Sequence, residues 1–335
     1  MPEYVSKFDI GCLCETKTEN IPAIEFPNFD IFSLKQKSKA HGISIFVKKG
    51  LFPTIFKIEN TKSKCILWVA LGISLQNIQL IVGGVYIPGS SSKFSDVNDY
   101  DIISEDILFL NSKYGCPFVL LGDFNSRTGT LDDFQLQNDS KEILQNLGLE
   151  INRYNCDKKT DTNGRNLVSL CNDFNFGILN GRFGNDKKIG QFTCMKTIGQ
   201  SSVDYIIVST TLFPSVVDFI IDKYDSCMSD VHLPLCATIK IDNEFKKQNE
   251  TVSQKYKTLE YKSTWKVEKK NEYQEAFSNE KISKLTEKLQ NLSFSNDVTQ
   301  EKIDSITSDL TNILLEPAKQ VGICKKYPKN RNKRK

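Results

Sequence analysis

The chain has 335 residues, of which 39% are hydrophobic and 25% are charged. This composition is typical of a folded protein and excludes a disordered or collagen-like chain. No apolar run approaches the roughly 20 residues of a membrane-spanning helix, and the first residues lack the order of a signal peptide, so both features are excluded. The ten cysteines form no CxxC pair, which favours reduced thiols in an intracellular protein over a disulfide framework.

The charge is distributed unevenly along the chain. Residues 325–335 carry seven Lys or Arg and no acid, whereas the remainder holds 37 basic and 41 acidic residues, a net charge of −4. The body of the protein is therefore not a uniformly basic surface. We expect the tail to be disordered, and it could bind nucleic acid or serve as a nuclear address. An ordinary solvated terminus explains the same residues equally well.

Short apolar runs bounded by Gly, Asn, Ser or Pro recur from residue 8 to about residue 240. Their β-branched composition predicts strands over 8–14, 42–48, 65–75, 78–87, 117–124, 176–181, 203–209 and 235–241. A hairpin turn is expected at Gln76 and Asn77. Apolar residues at a period near 3.6 predict helices over about 97–113, 140–147 and 166–174. Many strands with a few interspersed helices indicate a layered α/β architecture.

The composition changes after residue 241. Residues 242–269 are polar and glycine-free, which predicts a linker, and periodicity then predicts two amphipathic helices over 270–292 and 299–320. These helices need a partner for their apolar faces, and neither carries an obvious chemical group. The predicted organisation is a domain at 1–241, a linker at 242–269, a two-helix connector at 270–322 and a basic tail at 323–335.

A carboxylate directly follows the first predicted strand. Glu15 comes after the apolar run that ends at Cys14. Because an unpaired buried charge is costly, this residue is a poor candidate for packing, and strand ends are where α/β proteins build their sites. Its carboxylate suits a hard cation such as Mg²⁺. A solvated loop acid is an equally good interpretation of these residues alone.

A second polar group follows the strand at 117–124. Asp123 and Asn125 lie two residues apart in the segment Gly-Asp-Phe-Asn, so in an extended chain they point the same way. An acceptor beside an amide donor suits a water molecule held next to a phosphate oxygen. The alternative is an Asp/Asn turn, which is common after strands.

A third group is split along the chain. Asp204 lies at the start of the strand VDYIIVS, and Asp230 and His232 lie in the later segment SDVHLP. His232 is one of only two histidines, and a lone histidine is more often inert than catalytic. An acid that fixes its tautomer would change that balance.

These groups occur in the order found in the endonuclease/exonuclease/phosphatase superfamily. Residues 8–240 resemble that superfamily as a whole, which implies its DNase I-like fold, a four-layer αββα sandwich, here followed by a helical extension. The stretch from NGRNL to QFTC (163–194), followed by SSVDYIIVS, is similar in layout to the apurinic-type endonuclease domain of non-LTR retroelements.

The resemblance implies a role for each residue that matches a family motif. Glu15 matches the ligand of Mg²⁺, for which Mn²⁺ is a possible substitute. Tyr86 matches a tyrosine that contacts the scissile phosphate. Asp123 matches the acid that orients or deprotonates the attacking water, and Asn125 matches the amide that supports this acid and the phosphate.

The resemblance continues in the third group, with one departure. Asp204 matches the acid that pairs with the histidine, which here is His232, at the phosphate. The family places a second acid directly before the histidine, whereas Val231 intervenes in this chain. His232 keeps its spacing to Pro234, so it is carried over as a catalytic and phosphate-binding residue. Asp230 is carried over only in part, as a second metal ligand.

A further departure concerns the start of the resemblance. The family begins with a central strand that carries an Asn at the metal site and is followed by a helix. The segment PEYVSK (2–7) matches only the end of that helix, so we expect the first strand to be missing. No aromatic-x-Asp-Asp motif follows residue 243, so a reverse transcriptase partner would act in trans. The segment STWKVEKKNEYQEAF resembles the connector that follows the nuclease in such elements.

The expected activity is Mg²⁺-dependent phosphodiester hydrolysis by a DNA endonuclease that nicks its substrate. Two alternatives stay open on sequence alone. One is a phosphatase or phospholipase of the same superfamily, and the other is an inactive remnant that binds nucleic acid through its tail. The expected partner is DNA, with no membrane, and the expected location is inside the cell, in the nucleus.

Overall fold

The computed structural model describes residues 2–16, 26–34, 42–89, 92, 96, 98–133, 143–150, 152–197, 199–226, 229–241, 261–263, 267–293 and 299–326. The chain divides into two compact units, Met1–Gln254 and Lys255–Lys335. None of the helices in the described ranges has both the length and the apolar character that crossing a bilayer would require.

The described part of the first unit contains thirteen strands, three helices, a short helical segment at 143–146 and two short 3₁₀ segments. The strands are β1 (Ile10–Cys14), β2 (Phe29–Leu34), β3 (Ile43–Lys48), β4 (Thr54–Lys57), β5 (Ile66–Ser74), β6 (Asn77–Tyr86), β7 (Phe118–Asp123), β8 (Phe176–Ile178), β9 (Cys194–Lys196), β10 (Gly199–Ser201), β11 (Asp204–Ser209), β12 (Val216–Ile221) and β13 (Leu235–Ile239). The helices are α1 (Pro2–Val5), α2 (Asp99–Tyr114) and α3 (Thr162–Phe174), and the 3₁₀ segments are Gly184–Asp186 and Thr210–Ser215.

One layer of the unit is a six-stranded sheet in the order β4-β5-β6-β7-β11-β8. Neighbours within it are antiparallel except for β6 and β7, which are parallel. Its outer face packs against α2 and α3, whose apolar residues Ile103, Ile107, Leu110, Leu167 and Leu170 join Trp68 and Phe118 of the sheet in one core. The apolar stripe of each helix therefore faces this sheet, as the sequence pattern predicts.

The second β layer consists of two separate sheets. One has the order β1-β3-β2 and the other pairs β12 with β13. Apolar residues of both, including Ile45, Val47 and Phe219, share a core with Val69, Val82 and Val208 of the six-stranded sheet. Among the described residues, no strand ladder joins the two sheets of this layer.

The outer face of the β1-β3-β2 sheet is covered by a small aromatic cluster. Val5 of α1 packs with Phe26, Phe29 and Phe46. Two packed β layers thus carry helical or aromatic cover on their outer faces, and the predicted four-layer α/β sandwich with a helical C-terminal region is confirmed.

Several element boundaries differ from the sequence prediction. The hairpin between β5 and β6 turns at Leu75 and Gln76, one residue earlier than expected, because Ser74 pairs with Asn77. The predicted helix at 140–147 falls partly on 140–142, which lie outside the described residues, and 143–146 are helical. Strands β2, β4, β9, β10 and β12 were not predicted.

The second unit is helical with one small ladder. Its helices are α4 (Lys270–Glu275), α5 (Asn279–Ser293) and α6 (Gln300–Gln320), so the predicted helix at 270–292 is interrupted near Ala276. A two-stranded ladder pairs β14 (Tyr261–Ser263) with β15 (Cys324–Lys326). These strands lie within the segments predicted as linker and tail, and 327–335 lie outside the described residues.

Candidate active site

Three neighbouring strands end or begin at the same edge of the six-stranded sheet. Tyr86 is the last residue of β6 and lies opposite Asp123, the last residue of β7. Asp123 in turn lies opposite Asp204, the first residue of β11. Strand register therefore places the hydroxyl and both acids in one row, although 118 residues of sequence separate Tyr86 from Asp204.

The histidine predicted from the third group joins this row. The Nδ1 atom of His232 lies 3.0 and 2.9 Å from the two carboxylate oxygens of Asp204. The segment that carries the histidine is fixed by backbone bonds, because Met195 N donates to Val231 O at 2.8 Å and Leu233 N donates to Thr193 O at 2.8 Å. Asp204 thus has the position needed to fix the tautomer and orientation of the imidazole.

The electrostatic environment favours a charged imidazole. Burial alone would lower the pKa of His232, but hydrogen bonds to Asp204 and Cys194 and the nearby charge of Asp123 raise it to about 11. The ring is therefore an imidazolium at neutral pH, with Nδ1–H donated to Asp204. Its Nε2 atom lies 3.9 Å from Cys194 Sγ and is the position from which it can donate to an anion.

The environment of Asp123 disfavours the charged form of its carboxyl group. Burial and the neighbouring charge of Asp204 raise its pKa to about 8, although His232 and the Asn125 backbone N–H act in the other direction. A carboxyl group with a pKa near neutrality can exchange a proton at working pH, which suits a general base.

The turn after β7 holds Asp123 through Asn125. The backbone N–H of Asn125 donates to Asp123 Oδ1 at 2.8 Å, and its side-chain Nδ2 donates to Asp123 Oδ2 at 2.8 Å and to Ile87 O at 2.9 Å. Asn125 adopts a φ of 44°, in the left-handed region that asparagine tolerates well. Both amide hydrogens are engaged in this way, so the geometry makes Asn125 the support of Asp123, and phosphate binding by Asn125 stays a prediction.

Glycine at position 122 is required by the same turn. Gly122 has a φ of 141°, and a Cβ atom there would lie 2.0 Å from the carbonyl oxygen of Val85 on the parallel neighbour β6. The close approach of β6 and β7 at this point brings Tyr86 beside Asp123.

Glu15 reaches the site through Tyr86. The Tyr86 hydroxyl donates to Glu15 Oε1 at 2.9 Å, and burial together with this bond raises the pKa of the tyrosine. Glu15 is exposed and has a φ of 54°, a conformation that costs energy in a residue other than Gly, Asn or Asp. Strain of this kind persists where the surrounding structure fixes a functional side chain.

Side chains that can hold a cation converge here. Ligand atoms of Asp123, Asp204 and His232 lie within 4.8 Å of one another. A protonated imidazole has no free lone pair, so the two carboxylates are the donors, and the Glu15 carboxylate adjoins them through Tyr86. Carboxylate oxygens are the ligands preferred by hard cations, so the donor set fits Mg²⁺ or Mn²⁺. Asp230 is exposed, and its backbone carbonyl accepts a bond from Tyr224 at 3.0 Å. Its role as a metal ligand stays a prediction.

The sequence alone did not identify Thr193, which connects the segment of Asp204 to the segment of His232. The buried Thr193 hydroxyl accepts the backbone N–H groups of Val203 at 3.0 Å and Asp204 at 3.1 Å, while its carbonyl accepts Leu233 N. Neither Thr193 nor Cys194 carries a signal in sequence that would distinguish it from an ordinary strand residue.

Solved structures share this architecture at low sequence identity. AP endonuclease LMAP from Leishmania major is 12% identical, with a TM-score of 0.52 over 71% of this chain and 80% of that chain, which shows a common fold. The endonuclease domain of TRAS1, a telomere-specific non-LTR retrotransposon, is 14% identical, with a TM-score of 0.48 over 71% of this chain and 88% of that one. An AP endonuclease from Archaeoglobus fulgidus is 16% identical, with a TM-score of 0.46 over 72% and 93% of the two chains.

A search of curated protein sequences finds no match. The model of the endonuclease/exonuclease/phosphatase family, in contrast, matches residues 2–223. This match spans about two thirds of the chain and includes Glu15, Tyr86, Asp123, Asn125 and Asp204. The chain therefore belongs to the endonuclease/exonuclease/phosphatase family.

Proposed function

We propose that this chain is a Mg²⁺-dependent DNA endonuclease that nicks one strand by hydrolysing a phosphodiester bond, as expected for a nuclease domain derived from a non-LTR retroelement. The observation that carries the proposal is the row formed by Asp123, Asp204 and His232 at one sheet edge, with a raised pKa on the first acid and a charged imidazole beside it.

In this mechanism Asp123 receives the proton of the attacking water. Its raised pKa matches that task, and Asn125 holds both of its oxygens so that the carboxylate keeps one orientation. The water oxygen forms a bond to phosphorus while the bond from phosphorus to the leaving sugar oxygen breaks, and that oxygen takes the bonding electrons and a proton from solvent.

His232 stabilises the charge that develops on the phosphate. Its Nε2–H is directed away from Asp204 and can donate to a non-bridging oxygen, while Asp204 keeps the ring cationic. Tyr86 orients Glu15, which with the neighbouring carboxylates would hold the cation. A bound Mg²⁺ would supply Lewis-acid neutralisation of the charge that develops in the reaction.

The test is a nicking assay on supercoiled plasmid with Mg²⁺, beside an EDTA control. We expect the variants Asp123→Ala, Glu15→Ala and His232→Ala to lose nicking while they keep the wild-type circular dichroism spectrum. Asp101→Ala, which removes an exposed acid on α2, is the matched control and should nick normally.

Three results would count against the proposal. Nicking that survives in Asp123→Ala would contradict the site assignment. Hydrolysis of sugar phosphates or lipid headgroups in preference to plasmid would favour a phosphatase or phospholipase. A folded wild-type protein that binds DNA without nicking it under any divalent cation would indicate an inactive remnant.

The proposal extends to cellular context. A nuclease of this kind would act on chromosomal DNA, hence in the nucleus, and would need a reverse transcriptase supplied in trans for target priming. Fluorescence microscopy of the tagged full chain, with and without residues 327–335, tests the location.

A further inference from the structure

The sequence Asp-Lys-Lys occurs twice in the first unit, at 157–159 and at 186–188. In both copies the aspartate is buried and the two lysines are exposed. We call these segments the twin turns. Neither contributes a residue to the row of catalytic side chains, so their shared pattern needs a separate explanation.

The aspartate of the first turn attaches this turn to the segment just before Asp204. Asp157 accepts bonds from Arg127 Nε at 2.8 Å and Arg127 NH2 at 2.5 Å, and its Oδ2 also accepts the backbone N–H of Ser202 at 3.0 Å. Ser202 lies two residues before Asp204. Lys158 and Lys159 therefore belong to a segment that is fixed beside the start of β11.

The second turn is held in the same manner and lies against the first. Asp186 accepts the backbone N–H groups of Gly181 at 2.7 Å and Gln191 at 2.8 Å. Cys156 N donates to Gly190 O at 2.7 Å, and a Cβ atom at Gly190 would lie 2.2 Å from the carbonyl oxygen of Tyr154. The two backbones are thus in direct contact at Cys156 and Gly190, which lie two residues from Lys158 and two residues from Lys188.

The net charge of this region is positive. The guanidinium of Arg127 offsets the charge of Asp157, and burial raises the pKa of Asp186. Within the described part of the chain, Lys188 is the one member of the four lysines that forms an ion pair, with Glu150 at 2.9 Å, and the charge of Lys187 also acts on Glu150. Both side chains of that pair are about half exposed, so the pair is screened by solvent and remains open to exchange for another anion.

We propose that the twin turns bind the phosphates of the DNA strand that flanks the bond to be cut. The proposal rests on the proposed nuclease function and assigns it a substrate-holding surface. Lysine ammonium groups are flexible point charges that suit phosphate oxygens without reading bases. Because the first turn is fixed two residues from Asp204, a strand whose phosphate occupies the catalytic row would extend over these lysines.

The test measures DNA binding separately from cleavage. Binding of the full chain to a fluorescently labelled duplex is followed by anisotropy in EDTA over a series of salt concentrations. The variant Lys158→Ala/Lys159→Ala/Lys187→Ala/Lys188→Ala should bind at least about tenfold more weakly at low salt. Its plot of log affinity against log salt should be shallower by about 3.6, since each of the four phosphate contacts contributes about 0.9.

Three controls accompany this variant. Replacing the same four lysines by arginine should preserve affinity and slope, because the charge is retained. Lys48→Ala/Lys49→Ala removes two exposed lysines at the end of β3. This end pairs with the start of β1, whereas Glu15 follows the end of β1, so the variant should leave DNA binding unchanged. A chain that lacks residues 327–335 shows how much binding the basic tail provides.

The outcomes separate this proposal from the proposed function. The proposal that the twin turns bind DNA would be overturned if the quadruple alanine variant kept the affinity and salt slope of the wild type, or lost no more affinity than Lys48→Ala/Lys49→Ala. It would also be overturned if the wild type did not bind DNA. Binding that depends on the twin turns in a protein that never nicks would support this surface and contradict the nuclease proposal. Normal nicking with an unchanged KM in the quadruple variant would support the nuclease proposal and contradict DNA binding by the twin turns.

Discussion

At the scale of single residues, the adjacent carboxyl groups of Asp123 and Asp204 are costly to the fold. Burial and the mutual charge of the pair raise the pKa of Asp123 from 3.8 to about 8. The Asp123 carboxyl therefore binds its proton more tightly in the folded state than in the unfolded chain. The contribution of this group to stability is complete below about pH 4 and is lost as the pH rises toward about 8.

This sign leads to a prediction for Asp123→Asn in the absence of divalent cations. Each pKa unit corresponds to about 1.4 kcal/mol, so the wild type should lose a few kcal/mol of unfolding free energy relative to the variant between about pH 4 and pH 8. Urea unfolding at several pH values measures the difference. Nicking by the variant should fall by about 10²–10⁴, the usual contribution of a general base. A stability difference that stays constant with pH would contradict the buried like-charge pair.

The imidazolium of His232 gives a second prediction at this scale. Its pKa is raised to about 11, so its stabilising effect is complete below about pH 6.5 and is lost only as the pH rises through about 11. In ¹⁵N NMR of the cation-free full chain, the His232 ring should stay charged at pH 9. Asp204→Asn should let it titrate near neutrality. Since the chain has two histidines, His41 provides the second signal, and a ring of His232 that is neutral at pH 7 would refute the assignment.

Sequence could identify the acids of the site because each is a charged residue at the end or the start of an apolar strand. The local residue pattern carries no information on the pairing of Asp204 with His232, which was expected only from the family resemblance and which depends on Thr193. The hydroxyl of Thr193 fixes the start of β11, and its carbonyl fixes the segment next to the histidine. Hydrogen bonds between distant segments have no local pattern, and for this reason such a residue is visible only in three dimensions.

At the scale of elements, the contact between β6 and β7 is the most demanding feature of the site. We predict that Gly122→Ala lowers the unfolding free energy by about 3 kcal/mol or more, because the new Cβ atom would overlap the Val85 carbonyl and the φ of 141° disfavours a side chain.

Gly50→Ala is the matched control for this variant. Gly50 also has a positive φ, 81°, but a Cβ atom there has no neighbour within 4 Å among the described residues, so the cost should be about 1–2 kcal/mol. Denaturant unfolding of both variants gives the comparison. Equal losses would show that backbone strain alone, and not the approach of the two strands, sets the need for glycine at 122.

Elements were predictable where their apolar pattern was simple. The long strands β5 and β6 stand out because they are apolar over most of their length. β9 (Cys-Met-Lys) and β10 (Gly-Gln-Ser) are three residues each, which is too short for an apolar alternation to be recognised. β12 is apolar on both faces, with Phe219 fully buried and Val217 64% exposed, and therefore lacks the alternation typical of a half-buried strand.

At the scale of the whole molecule, the fold class followed from the sequence, while the arrangement of the second β layer did not. A layered α/β fold requires only that strands and helices recur in sufficient number, and the sequence shows this. Whether two sheets join into one depends on pairing between strands such as β1 and β13, which are more than 200 residues apart. Pairing over that separation leaves no trace in local composition.

The division into two units gives a prediction at this scale. Limited trypsin digestion of the native chain should cut first within 242–260, where the sequence predicts a polar linker rich in lysine, and release a stable fragment that contains the first unit. Mass spectrometry of the fragments locates the cut. Early cleavage inside β5 to β7 instead would mean that the core shared by the six-stranded sheet is less stable than its burial implies.

The split second layer also has a consequence for handling the protein. Within the described residues, β1 pairs only with β3 and β13 only with β12, so each leaves one row of backbone donors and acceptors at a sheet edge. Such rows are templates for pairing with another chain. We expect light scattering to rise with protein concentration as molecules associate edge to edge. Thr238→Lys, at an exposed position of β13, should suppress this growth, and the solubility limit of the purified protein would then depend on one residue of a strand with one unpaired edge.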